Sequence, residues 1–240
     1  MFNFNLKNKL FNICFRNFIM VIEIIEFLSC FSYSFSLFIF PLISIATFLY
    51  LLFFNSKLYW LPIAYLLWWL IIDRETFRTG GRPWFPLRKL SLFSPLSSYF
   101  PVKLYKTHEI DHDRNYIFAF HPHGYLVHGG FINFLTEATG FNRLFPHLKT
   151  FFTIVNGHFF IPFHRDLFLA LGFISPAKKG LECILNSPEK GKCVVIVVGG
   201  AKEIEKQTDT NYTLHILNRK GFIKLALETG YVGTFGNILI

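Results

Sequence analysis

His121-Pro122-His123-Gly124 places two imidazoles two residues apart. Imidazole is the side chain whose ordinary pKa lies closest to neutral pH, so it suits proton transfer there. The tetrad follows Tyr116-Ile117-Phe118-Ala119-Phe120, an apolar run that predicts a buried strand. A proline then stops the ladder and a glycine permits a tight turn. The two imidazoles therefore sit where a core strand ends. Two other segments carry groups of use to a ligand. Gly199-Gly200-Ala201-Lys202-Glu203 follows the β-branched run 193–198, which predicts the centre of a parallel sheet. Asn218-Arg219-Lys220-Gly221-Phe222 opens a predicted helix, where anions are favoured and Arg219 and Lys220 add charge for phosphates. Taken singly, each segment also reads as structure alone: a turn with two histidines, a glycine turn, a solvated basic helix start.

The elements around these segments alternate. Residues 150–155 predict a strand. Residues 126–139, 163–171, 181–186 and 221–229 predict helices, the first weakened by Gly129-Gly130 and the last closed by Gly230. Strands alternating with helices predict an α/β domain with a mostly parallel sheet flanked by helices. Ligands bind such sheets beyond the carboxyl ends of the strands, so the three segments are candidates for one site.

Ahead of that domain the chain changes character. It is 52% hydrophobic and only 16% charged, against about 25% charged in average soluble domains. Part of it is expected in lipid. Residues 35–54 carry no charge and contain one proline, Pro41; as a helix they span about 30 Å, a bilayer core. Asn55-Ser56-Lys57 makes a polar turn. Residues 58–72 form a second charge-free run of about 22 Å, rich in Trp and Tyr. The pair predicts an N-terminal transmembrane helical hairpin, spanning or re-entrant. Lys7, Lys9 and Arg16 precede it and Arg74, Arg78, Arg82, Arg88 and Lys89 follow it, so both flanks are expected in the cytosol. Residues 18–30 carry Glu23 and Glu26, which argues for an interfacial or packed helix and against a signal peptide. The expected division is an N-terminal segment (1–34), a membrane hairpin (35–72) and a cytosolic domain (73–240).

The net charge of +9 on so few charged residues excludes nucleic acid as the expected partner and favours an anionic membrane face or a phosphorylated substrate. Cys14, Cys30, Cys183 and Cys193 show no metal-binding spacing and are expected as reduced, buried thiols. His121, His123 and His128 lack the helical spacing of a metal hydrolase, and no metal is expected.

The order of segments resembles the diacylglycerol acyltransferase type 2 family, which includes monoacylglycerol and wax-alcohol acyltransferases. The resemblance runs from Trp69 to about Gly230. Its residues are the exit segment 73–83, Tyr99-Phe100-Pro101-Val102, 115–124 with the histidine tetrad, Phe131-Ile132-Asn133-Phe134 and the run on to Gly140, Val197-Val198-Gly199-Gly200-Ala201-Lys202-Glu203, and Arg219-Lys220-Gly221-Phe222. It implies an endoplasmic-reticulum membrane enzyme with both termini cytosolic, with the lipid droplet as a second location. Such an enzyme moves a fatty acyl group from acyl-CoA to the hydroxyl of diacylglycerol, monoacylglycerol or a fatty alcohol, in neutral-lipid synthesis, with no cofactor beyond the acyl-CoA substrate. His123 is the expected base, with His121 orienting it or substituting for it. The start of the following helix is expected to offer N–H groups to the thioester oxyanion. Pro122, Gly124, Asn133, Gly199, Gly200, Arg219 and Lys220 are expected to bind substrate. Related glycerophosphate acyltransferases place an aspartate five residues after the histidine. Leu126 and His128 stand at those positions here, so Glu137 or Glu203 is the candidate carboxylate partner. Self-association is left open.

The family continues with a Phe-Gly-Glu-Asn element and further strands, whereas Phe235-Gly236-Asn237 lacks the glutamate and the chain stops at Ile240. One or more strands are expected to be missing. The alternative expectation is an inactive relative that binds the endoplasmic-reticulum or lipid-droplet membrane or a partner.

Overall fold

In the structure, a computed structural model, residues 2–111, 113–121, 127–200, 219–229 and 233–236 are described. The charge-poor N-terminus forms one helical rod. Helix α1 (Phe2–Ser34), a π-helical turn (Phe35–Ile39) and α2 (Phe40–Phe53) follow one another without a break. Residues 18–30 and 35–54 are therefore continuous, not separate helices. Pro41 lies in the first turn of α2, directly after the π turn, and a wider turn of this kind accommodates the hydrogen bond that proline cannot make. Among the described residues one helical stretch, Cys14–Phe53, is long and apolar enough to cross a membrane. Asn55 then reverses the chain, its Oδ1 accepting the N–H groups of Lys57 and Leu58 at 3.1 and 3.0 Å. Helix α3 (Trp60–Trp68) packs back on α2 and ends in a second π turn, Trp69–Asp73. The two charge-free runs thus form a helical hairpin. Phe18, Leu42, Phe53, Ile71 and Ile72 point outward, exposed.

The remainder is mixed α/β. After the short α4 (Leu96–Tyr99) come β1 (Tyr116–Phe120), α5 (His128–Phe134), α6 (Phe141–Leu144), β2 (Lys149–Thr153), α7 (His164–Leu171), β3 (Phe173–Ile174), α8 (Lys178–Leu185), β4 (Lys192–Val197), α9 (Gly221–Thr229) and β5 (Gly233–Gly236). The sheet order is β3-β2-β4-β1-β5, and every pairing is parallel. The β-branched run is the central strand, as its composition predicts. Strand side chains alternate between two cores. Phe118, Phe120 and Phe152 face a phenyl-rich core with Phe131, Phe134 and Phe168. Ile117, Phe151 and Val194 face Leu181, Ile184 and Leu225 on α8 and α9.

Two further expectations are corrected. The helix expected over 126–139 is α5 alone, because the Thr136 hydroxyl donates to Ile132 O at 2.6 Å and the chain turns away. The weakening glycine has a packing reason: a β-carbon on Gly130 would stand 2.8 Å from the rings of Phe120 and Phe152. The short glycine-flanked β5 pairs along β1. The thiols are not all buried. Cys14 and Cys183 are exposed, Cys30 is half-buried, and only Cys193 is buried, where burial pushes its thiol well up. Strands β3 and β5 escaped the sequence because runs of two and four residues show no alternation.

Candidate active site

Strand register brings the first two candidate segments together. Phe120 pairs with Val197, and the Val198 N–H donates to Phe120 O at 3.2 Å. His121 leaves the end of β1 directly beside Val198-Gly199-Gly200 at the end of β4, and it is buried there. Gly200 has φ +58°, a left-handed conformation suited to glycine. The third segment reaches the same point. A β-carbon built on Gly200 would lie 3.8 Å from Arg219 Nη2, so the guanidinium stands over the glycine turn. Arg219 and Lys220 are exposed at the start of α9. Pro122, His123, Gly124 and Glu203 lie outside the described residues. Glu203 follows the strand that neighbours β1.

Glu137 is placed elsewhere. Its Oε2 accepts the Asn142 N–H at 3.1 Å, and its own N–H donates to Arg88 O at 3.0 Å. Arg88 is buried and bonds Thr150 Oγ1, Thr150 O and Leu171 O at 2.7, 2.9 and 2.9 Å. Burial lowers its pKa to about 10 and the Glu137 charge works in the opposite direction. Thr150 is level with Cys193 and Tyr116, so this cluster sits roughly 15 Å down the sheet from His121 at about 3.3 Å per strand residue. Asn133 is fully buried on α5, and its side-chain nitrogen and oxygen meet no partner among the described residues.

Beneath the sheet ends lies a cavity of about 400 Å³. Its walls come from the ends of β2 and β4 (Thr153, Ile154, Val197, Gly200), from α5 (Phe131) and from the π turn of the N-terminal rod (Ser36, Leu37, Phe38). The lining is mostly aliphatic and aromatic. Val127, also on the wall and directly before α5, has φ +53°, strained for a β-branched residue.

Three side-chain pairs missed in the sequence hold this arrangement. Tyr33 on α1 lies 3.1 Å from His128 Nδ1 and stacks on Phe131 at 4.8 Å. The N-terminal rod is thereby fixed to the helix that follows the tetrad. Burial pushes His128 below the ordinary imidazole range, which favours the neutral ring. His158 Nδ1 lies 3.2 Å from His164 Nε2 beside the cavity. Arg165 pairs with Asp73, joining α7 to the end of the hairpin. The signal available for these was weak: single polar residues inside long apolar runs, each paired with a residue distant in sequence or masked by phenylalanines.

The arrangement offers a buried imidazole at a strand end, a glycine turn beside it, an arginine above that turn and an apolar chamber behind it. It suits a ligand with an anionic head outside and an aliphatic tail inside.

Comparison with known proteins gives a consistent picture. A family model described as diacylglycerol acyltransferase matches residues 50–235. Acyl-CoA wax alcohol acyltransferase 2 of Homo sapiens is 35% identical over 206 residues, covering 86% of this chain and 61% of its own length. The 2-acylglycerol O-acyltransferase 3 of Homo sapiens is 38% identical over 194 residues, 81% of this chain and 56% of its own. Diacylglycerol O-acyltransferase 2 of Danio rerio is 38% identical over 172 residues, 72% of this chain and 48% of its own. The chain thus spans about half to three-fifths of the length of these relatives. No solved structure matches it.

Proposed function

Since the chain belongs to the diacylglycerol acyltransferase family, we propose that it transfers a fatty acyl group from acyl-CoA to the hydroxyl of a diacylglycerol, monoacylglycerol or fatty alcohol at a membrane surface. The observation that carries this reading is the convergence of His121, Gly199-Gly200 and Arg219 over an apolar cavity. In this reading the acyl chain lies in the cavity. The coenzyme A phosphates lie outside, against Arg219 and Lys220, where charge-assisted bonds are strong.

The reaction needs a base because an alcohol is a poor nucleophile until its proton is removed. In the proposed mechanism the histidine tetrad takes that proton, with His123 as the base and His121 beside it. The alkoxide oxygen attacks the thioester carbonyl, the new C–O bond forms and the C–S bond breaks. The coenzyme A thiolate leaves and takes the proton from the imidazolium. Glu203 is the favoured carboxylate partner, because it follows the neighbouring strand, whereas Glu137 is engaged with Asn142 and Arg88. Water exclusion by the phenyl-rich core favours acyl transfer over hydrolysis.

The exposed apolar faces of the N-terminal rod and α3 support a membrane-embedded hairpin. The basic residues on both flanks support cytosolic termini, and the endoplasmic reticulum is the proposed membrane. The test is a microsomal assay with labelled acyl-CoA and each of the three acceptor classes. Labelled ester is expected with at least one. No product with any acceptor, at expression matching a working relative, would overturn the reading.

A further inference from the structure

The cavity wall is apolar, and most of its polar side chains are already committed. Ser36 Oγ donates to Tyr33 O at 2.7 Å, Thr153 Oγ1 donates to Val195 O at 3.1 Å, and the Tyr33 hydroxyl engages His128. His158 differs. Its Nδ1 engages His164 Nε2, while its other nitrogen makes no hydrogen bond within the described residues and keeps accessible surface on a ring that lines the cavity.

His164 determines which nitrogen of His158 carries the proton. It is fully buried, and its Nδ1 meets no partner among the described residues. A proton on that atom would be a stranded buried donor, whereas a proton on Nε2 donates to His158 Nδ1. Burial and the neighbouring His158 push His164 down to about 4, so it stays neutral at physiological pH. His158 Nδ1 is then the acceptor, and its Nε2 carries an N–H. Stacking on Phe168 at 4.9 Å holds the ring in place.

We propose that His158, oriented by His164, is an acceptor-specificity residue whose Nε2–H binds an ester carbonyl of the acceptor glyceride at the cavity wall, beside the acyl chain. The proposal rests on the acyltransferase reading. His158 lies in the turn after β2 and His121 follows β1, with β4 between the two strands; strand spacing puts β2 and β1 about 10 Å apart sideways. They serve two different oxygens of one ligand. A glyceride has a second oxygen function beside its reacting hydroxyl, and a simple fatty alcohol has none. A donor on this half-buried ring is satisfied by an ester carbonyl and is left without a ligand partner by an ether, so it favours the ester.

The test compares a 1,2-diacylglycerol acceptor with its 1,2-dialkyl ether analogue, which differs only in lacking the carbonyl oxygens. The wild-type chain is expected to prefer the diester in kcat/KM, and His158→Phe to reduce that preference about fivefold, the size of one neutral hydrogen bond. His158→Gln, which keeps an N–H donor, is expected to restore part of it. His164→Leu is expected to lower the preference and His164→Gln to recover it. A ratio is independent of the amount of folded enzyme. The same ratio is read without turnover by competing each lipid against a photoreactive diacylglycerol on the full chain in nanodiscs, so loss of acyl transfer does not decide the matter. A wild-type diester preference kept unchanged in His158→Phe, in either readout, would overturn the proposal.

Discussion

Arg165 and Asp73 form a buried ion pair across 92 positions of sequence, with side chains 0% and 6% exposed. Arg165 Nη2 also donates to the Asp73 carbonyl at 2.9 Å. Arg82 Nε reaches the same carboxylate at 3.2 Å, and Tyr65 of α3 donates to Asp166 at 2.6 Å. The end of the hairpin is thereby pinned to the start of α7, the helix that carries His164. This link holds the hairpin, whose N-terminal rod supplies Ser36, Leu37 and Phe38 to the cavity wall, against the helix beside the site.

Removing Arg165 leaves Asp73 with the more exposed Arg82 as its cation and deprives the Asp73 carbonyl of its donor. Arg165→Met is expected to cost about 1–3 kcal/mol, read as a fall in the melting temperature of the detergent-purified chain. Arg78→Met, whose partner Glu75 is exposed, serves as the comparison and is expected to change stability by less than about 1 kcal/mol. Equal effects from the two variants would count against a locked hairpin.

Gly130 gives a second outcome. Its missing β-carbon lets α5 approach Phe120 and Phe152. Gly130→Ala forces those rings apart, and overpacking of this kind typically costs about 1–3 kcal/mol. Alanine favours the helix itself by about 1 kcal/mol, so a net destabilisation identifies packing as the stronger effect. A more stable variant would show that the helix can move out without harm.

The buried His164 makes stability depend on acid. Its folded pKa is about 4, below the ordinary 6.5, because burial and His158 disfavour the charged ring. Above 6.5 the ring is neutral in both folded and unfolded chains. Between 6.5 and 4 the unfolded chain binds the extra proton, so stability falls as pH falls through this window. The slope ends below 4. His164→Val is expected to flatten the melting-temperature profile between those limits, and an unchanged slope would assign it to other groups.

How far the sequence carries this protein follows from the kind of signal each part leaves. The central strand β4 and the tetrad strand β1 were legible because unbroken β-branched or aromatic runs have few other uses. The helix after the tetrad was overextended, since apolar residues continue beyond Phe134 and only a tertiary contact, Thr136 and Glu137 turning toward the Arg88 region, stops it. The tetrad, the glycine turn and Arg219 were each visible, but their meeting depends on β1 and β4 being neighbours, which no local pattern states. His158 and His164 were invisible as a pair. Their six-residue separation matches no motif, and their meaning arises from the fully buried position of one and the cavity beside the other.

Arg219 offers the most direct test of the site. Its guanidinium stands over Gly200 at the mouth of the cavity, yet it is exposed and adds nothing evident to the core. Its proposed partner is a coenzyme A phosphate. Arg219→Ala is therefore expected to raise KM for acyl-CoA about 10-fold, the size of a charge-assisted hydrogen bond, with melting temperature unchanged. Increasing salt is expected to weaken wild-type binding toward the variant's level, because exposed charges are screened. Gly200→Ala separates geometry from charge. It retains the arginine but strains a left-handed turn and brings a methyl group against the guanidinium, so its KM is expected to rise while its salt dependence persists. A normal acyl-CoA KM in Arg219→Ala would remove the phosphate assignment and leave Lys220 as the remaining cation at the start of α9.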